Sequence, residues 1–142
     1  MLASMPRQLS IVAALIDDGD GRVFLVRKRG TAAFMLAGGK SDGEEAPFET
    51  LARELSEELG FSPSESEARY LGAFSAQAAN EPDHQVDARI FHIRAAGRSF
   101  TVGAELAEGR WVTIDEAMRL PLAPLARDHV LPLARDGWGS TD

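Results

Sequence analysis

Residues 9–16 form a run of strand length, apolar but for Ser10, closed by the turn signal Asp17-Asp18-Gly19-Asp20-Gly21. Residues 22–29 then read as a returning strand, so the pattern predicts a β-hairpin. A short strand at 33–36 leads into a glycine-rich loop. Beyond it the apolar period changes from strand-like to helical. Phe48, Leu51, Ala52, Leu55 and Leu59 share one stripe at about 100° per residue, which predicts a helix over Pro47–Leu59. Pro47 suits its first turn, and Gly60 suits the position just past its end. Residues 70–78 and 85–95 read as two more strands around the polar turn Asn80-Glu81-Pro82-Asp83-His84. A short strand at 110–113 and helices at 115–120 and 125–134 follow, and the tail from Asp136 is expected to fray. Strands mixed with separated helices, without repeats or a linker, predict a single α/β domain over residues 1–142, with helices on both faces of a mixed β-sheet.

The helix at 47–59 carries an electrostatic mismatch. Glu54, Glu57 and Glu58 fall within an arc of roughly 100° beside the apolar stripe. Arg53 is the only nearby basic residue in sequence, and none follows until Arg69. Glu57 and Glu58 sit in the last turn, where carbonyl dipoles disfavour anions by about 0.3–1 kcal/mol each. Ala46 occupies the capping position, giving up about 1 kcal/mol relative to Ser, Thr or Asp. A bound divalent cation would resolve the conflict, and oxygen-only ligands favour Mg²⁺, Mn²⁺ or Ca²⁺ over zinc. Taken alone, such a glutamate run is more often a solvated helix face.

The wider spacing decides between those readings. Gly39, Glu45, Arg53, Glu54, Glu57, Glu58 and Gly60 fill every fixed position of the Nudix box across residues 39–61. Seven identities at average usage of about 7% match by chance on the order of once in a hundred million. At this point the chain resembles the Nudix hydrolase family. The resemblance implies a Nudix-type α/β/α sandwich. It also implies hydrolysis of a nucleoside diphosphate linked to another moiety, by water attack on a pyrophosphate phosphorus with Mg²⁺ or Mn²⁺. Carried over by position, Glu54, Glu57 and Glu58 would ligate metal and Arg53 would orient them. Gly38 or Gly39 would add a carbonyl, and Glu45 would support the outer shell or a second ion. Glu54, or a carboxylate outside the box, would serve as general base. The chain departs from the family pattern in Ala37-Gly38-Gly39, usually Pro-Gly-Gly, and in Glu44, where Gly is common.

Other residues narrow the site less. Arg27, Lys28 and Arg29 end the second strand, and period two puts Arg27 and Arg29 on one side, making them candidates for substrate phosphates. Glu81, Asp83, Glu105 and Glu108 compete as the carboxylate outside the box. Phe34, Phe74, Phe91 and Trp111 could stack a base, although packing is their commoner use. His92 and His129 read as structural. Family markers for ADP-ribose or dinucleoside polyphosphates are missing at Gln77, Ala78 and Ala79, so modified nucleoside triphosphates and nucleotide sugars such as ADP-ribose stay equally open.

Composition excludes several classes. The net charge is −7, and −5 of it lies in residues 40–60, which hold seven acids against two bases. That is a poor footprint for extended nucleic acid, and it weighs against removal of RNA 5′-pyrophosphate. No cysteine is present, so thiolate chemistry is excluded. The apolar runs are too short to span a bilayer, and a cytoplasmic protein is the default expectation. A homodimer stays open, since no interface is legible. The alternative to an enzyme is a non-catalytic Nudix-fold nucleotide sensor, but such modules commonly lose box carboxylates that this chain keeps.

Overall fold

The structure, a computed structural model, describes residues 7–79 and 83–135. The elements in chain order are β1 (Arg7–Asp17), β2 (Arg22–Lys28), β3 (Phe34–Met35), β4 (Ala37–Lys40), α1 (Pro47–Leu59), β5 (Ala68–Gln77), β6 (His84–Arg94), β7 (Leu106–Thr113) and α2 (Ile114–Ala117). A π-helical segment at Leu125–Val130 then runs into α3 (Leu131–Arg135). The sheet is mixed. Its order is β3-β2-β1-β6-β5, with β4 beside β1 and β7 beside β2, and β1 runs parallel to β6 along its whole length.

Both faces of the sheet are covered, as expected for a sandwich. On β1, Val12, Ala14 and Ile16 pack against Leu51, Leu55 and Leu59 of α1. The alternate residues Ala13 and Leu15 pack against Leu125, Val130 and Leu131 from the C-terminal helices. This explains why the first strand reads as continuous apolar sequence: a strand buried on two faces has no polar side.

The predicted hairpin forms only at its base, where Asp17 pairs with Val23. Over Ile11–Ala14 the place beside β1 is taken by β4, a glycine-rich stretch that local sequence presents as a loop. Gly38 makes that close approach feasible. A Cβ on Gly38 would fall 2.2 Å from the Val12 carbonyl oxygen, and its φ of 152° disfavours other residues. The hairpin base is locked by Asp17, whose carboxylate accepts from the Gly19 amide at 2.8 Å and Arg94 Nε at 3.1 Å and pairs with buried His92. Burial alone pushes the Asp17 pKa up, but these partners outweigh it and hold the group below its ordinary value.

Helix α1 starts and stops where the sequence places it. The missing cap at Ala46 is partly offset by Glu49, whose Oε1 accepts from the Ala46 amide at 2.8 Å. Gly60 adopts the left-handed conformation at the C-terminus, with φ of 63°. The two late helices differ from expectation. The first is the shorter Ile114–Ala117, opened by a Thr113 cap accepting from Glu116 N at 3.1 Å. The second begins as π-helix, and Pro132, which has no amide to donate, lies just beyond that segment.

Leu55 is fully buried at the centre of the contact between α1 and the sheet. Leu55→Ala is expected to lower the unfolding free energy by about 2–5 kcal/mol, read as a lower urea midpoint with an unchanged slope.

Candidate active site

The box residues gather around the end of β4 and the second half of α1. Arg53 is the hub of the outer half. Its Nε and Nη2 hold Glu45 as a fork, at 2.8 Å to Oε2 and 2.9 Å to Oε1, while Nη1 reaches Glu54 Oε2 at 2.8 Å. Glu57 Oε1 lies 3.9 Å from the same Nη1. Thr50 Oγ1 adds a 2.9 Å bond to Glu45 Oε1, so both Glu45 oxygens are committed to bracing Arg53. The Arg53 bonds hold Glu45 near a pKa of about 2, against the smaller effect of desolvation. The same carboxylates raise the pKa of Arg53.

Arg53 thus supplies more of the neutralising charge than linear sequence spacing implied, because a fork-shaped side chain serves several carboxylates at once. Glu58 escapes it. This side chain is buried, 4% exposed, and its Oε1 accepts from the Gly38 amide at 3.1 Å. Burial raises its pKa to about 7; the Gly38 bond and the Lys28 charge oppose the rise, while the Glu54 and Glu105 charges add to it. Lys28 comes from β2, so this counter-charge is invisible along the helix sequence.

Glycine at position 39 is a requirement of contact. A Cβ there would fall 2.2 Å from the Glu54 carboxyl carbon, so this carboxylate lies against the bare backbone. The end of α1 is tied down by the loop before β7. The Gly103 amide donates to the Glu58 carbonyl at 2.8 Å and the Thr101 amide to the Leu59 carbonyl at 3.2 Å. These bonds offset part of the dipole penalty on the last-turn glutamates. The same loop delivers Glu105 through Ala104, which is held at φ of 54°.

A cleft of about 470 Å³ opens over these groups, and Gly38, Gly39, Glu54, Glu58, Glu105, Lys28 and Arg29 all line it. Of the substrate-binding candidates, Arg29 lines the cleft and Arg27 does not. Arg27 instead bonds Glu108 Oε1 at 2.9 Å and the Thr31 carbonyl at 2.8 Å. The physical reason is that β2 ends at Lys28, so period two does not carry the side of Arg27 on to Arg29, and Lys28 and Arg29 both line the cleft. Among the rival carboxylates, Glu105 reaches the cleft and Glu108 is held by Arg27 and Arg110. Asp83 is exposed in its turn, and Glu81 lies outside the described residues. None of Phe34, Phe74, Phe91 and Trp111 lines the cleft.

Among the described residues, no three carboxylate or imidazole groups converge as a ready cation cage. The donor chemistry nevertheless fits a hard divalent ion. Glu54 and Glu58 each engage one oxygen, with Arg53 and with the Gly38 amide, and both residues line the cleft. The anions there are oxygen donors only, which suits Mg²⁺ or Mn²⁺.

The chain matches the NUDIX domain family over residues 6–134, and it belongs to that family. It is 29% identical over 126 residues to the CTP pyrophosphohydrolase of Escherichia coli (strain K12), covering 83% of this chain and 85% of that one. The fold is shared with the solution structure of the E. coli ORF135 protein, at a TM-score of 0.74 and 23% identity over 99% of this chain and 97% of that one. It is shared also with a MutT protein from Methanosarcina mazei Go1, at a TM-score of 0.75 and 22% identity over 95% and 99% of the two chains. Among the described residues, no helix is long and apolar enough to cross a membrane.

The buried Glu58 makes a testable link between pH and stability. An unfolded glutamate titrates near 4.5, and folding raises Glu58 to about 7. Between those values the unfolded chain sheds the proton first, so this group's contribution falls as pH rises through the window. In metal-free buffer, Glu58→Gln should therefore gain about 1–3 kcal/mol relative to the native chain on going from pH 5 to pH 8, measured by urea unfolding.

Proposed function

We propose that this Nudix-family chain is a divalent-metal-dependent pyrophosphohydrolase of small nucleotides, either nucleoside triphosphates, modified ones included, or nucleotide sugars such as ADP-ribose. The observation that carries this reading is the cleft in which buried Glu58 faces Glu54 and Glu105 while Lys28 and Arg29 line the same space. Water attacks one phosphorus of the anhydride, a P–O bond to the bridging oxygen breaks, and a nucleoside triphosphate yields monophosphate and pyrophosphate. The relative's description as a CTP pyrophosphohydrolase supports a triphosphate substrate.

Glu54 and Glu58 would hold the cation, with Glu57 joining them by rotation from its exposed position, and a carbonyl of Gly38 or Gly39, both of which line the cleft, would add a further oxygen. When bound, such a cation offsets pyrophosphate charge and acidifies water. The remaining tasks fall to the chain. Arg53 fixes the Glu54 carboxylate, and Glu45 and Thr50 fix Arg53. Lys28 and Arg29 meet phosphate oxygens, which orients the anhydride for in-line attack. Glu54 or Glu105 accepts the proton released by water.

Glu57→Gln and Glu58→Gln should each lower turnover by at least about a hundredfold, or roughly 2.7 kcal/mol of transition-state stabilisation. The check is a nucleotide panel containing CTP and ADP-ribose, assayed with Mg²⁺ and with Mn²⁺. Losses below about tenfold in both variants would remove these residues as principal ligands.

A further inference from the structure

We propose, resting on the hydrolase reading above, that Phe100 and Ala104 are positioning residues for turnover. Together they hold the loop before β7 in the shape that delivers Glu105 to the cleft.

Residues 100–103 alternate between the core and the end of α1. Phe100 and Val102 pack against the core that α1 shares with the sheet. The Thr101 and Gly103 amides between them donate to the carbonyls of Leu59 and Glu58, at 3.2 and 2.8 Å. Carbonyls at the end of a helix find no partner within it, so this segment completes the last turn. A Cβ on Gly103 would stand 3.5 Å from the Glu57 carbonyl oxygen, so the loop backbone runs close along the helix end. The residue carrying the inner carboxylate, Glu58, is thus bonded directly to the loop that carries Glu105.

Phe100 pins this arrangement from the side. Its ring packs against three others, with centroids 4.9 Å from Phe24 of β2, 5.3 Å from Phe61 just past α1, and 5.9 Å from Trp111 of β7. Such pairs contribute beyond the area they bury. The Arg98 guanidinium, from the same loop, lies 4.7 Å from the Phe61 ring centre and bonds Glu67 at 2.7 Å.

Beyond the pin the chain turns sharply into β7. The Leu106 amide donates to the Gly103 carbonyl at 3.1 Å, closing a four-residue turn with Ala104 and Glu105 at its centre. Ala104 takes a φ of 54°, and turns with that sign at the first central residue favour Gly there. An exposed alanine held in this conformation is strained, and such strain persists where the surroundings over-determine it. The turn sets the place of Glu105. This residue lines the cleft with Glu58, its charge reaches Glu58, and its carbonyl accepts from the Arg29 amide at 2.9 Å.

The test measures kcat and KM for CTP and ADP-ribose with Mg²⁺. Phe100→Ala unpins the loop, and Ala104→Val puts a β-branched residue where φ is positive; each should lower kcat about tenfold or more. Glu105→Gln should lower it at least as far. Adding either change to Glu105→Gln should cost less than about threefold more, because all act through one carboxylate. Ala104→Gly, which accepts the left-handed conformation, should keep kcat within about threefold of native. Full losses in the double variants overturn the proposal. So does an unchanged kcat in Glu105→Gln or Ala104→Val, or a rise in KM that persists in the Glu105→Gln background. If Phe100→Ala fails to fold, the exposed Ala104 carries the test through its valine and glycine variants.

Amide exchange reads the latch without nucleotide or metal. In Phe100→Ala and in Ala104→Val, the Gly103 and Arg29 amides should exchange about tenfold faster or more, while the amides of β1 keep their protection. If the native chain cleaves neither nucleotide, the hydrolase reading has failed separately and exchange decides. Faster exchange at Gly103 and Arg29 together supports the positioning role, and unchanged protection at either overturns it.

Discussion

The single hydrogen bond from the Gly38 amide to buried Glu58 joins the two halves of the site. It fixes the last turn of α1 against β4; β4 lies beside β1 where Gly38 carries no side chain, and Glu54 lies against β4 where Gly39 carries none. Among the described residues, the Gly38 amide is the donor that meets the buried carboxylate at position 58. The backbone supplies what a burial-averse group needs, and the cost that remains is electrostatic.

That cost is divided unevenly. Arg53 bonds Glu45 and Glu54 and approaches Glu57, and these form an ordered outer cluster in which one cation serves three carboxylates. Glu58 and Glu105 form the inner part, countered by Lys28 at a distance. The division gives the one arginine and the several glutamates separate tasks. The arginine orders one set of carboxylates and leaves the other short of positive charge, so a cation entering the cleft gains where the protein does not compensate.

Local signals made much of this legible. The stripe Phe48–Leu59, with Pro47 and Gly60 at its ends, gave α1 its observed limits, because caps and periodicity act within a few residues. The alternation of β1 between two cores was also readable, as an apolar run with no polar face. Long-range features were hidden. The hairpin separates after one pair because β4 competes for β1, a choice made by packing and by glycine, beyond what local turn chemistry encodes. Arg29 parts from Arg27 because β2 ends at Lys28, and Arg27 is held by Glu108 of the partner strand β7, a contact 81 residues away in sequence. Glu105 was one of four carboxylate candidates until the loop latched to the end of α1 separated it from Asp83 and Glu108.

Titration calorimetry of Mn²⁺ into metal-free protein is the most direct measurement of whether these carboxylates await a cation. Saturable binding by the native chain is expected, weakened by about tenfold or more, or at least about 1.4 kcal/mol, when Glu54 and Glu58 are both changed to Gln. Equal uptake by both proteins, or none by either, would contradict it.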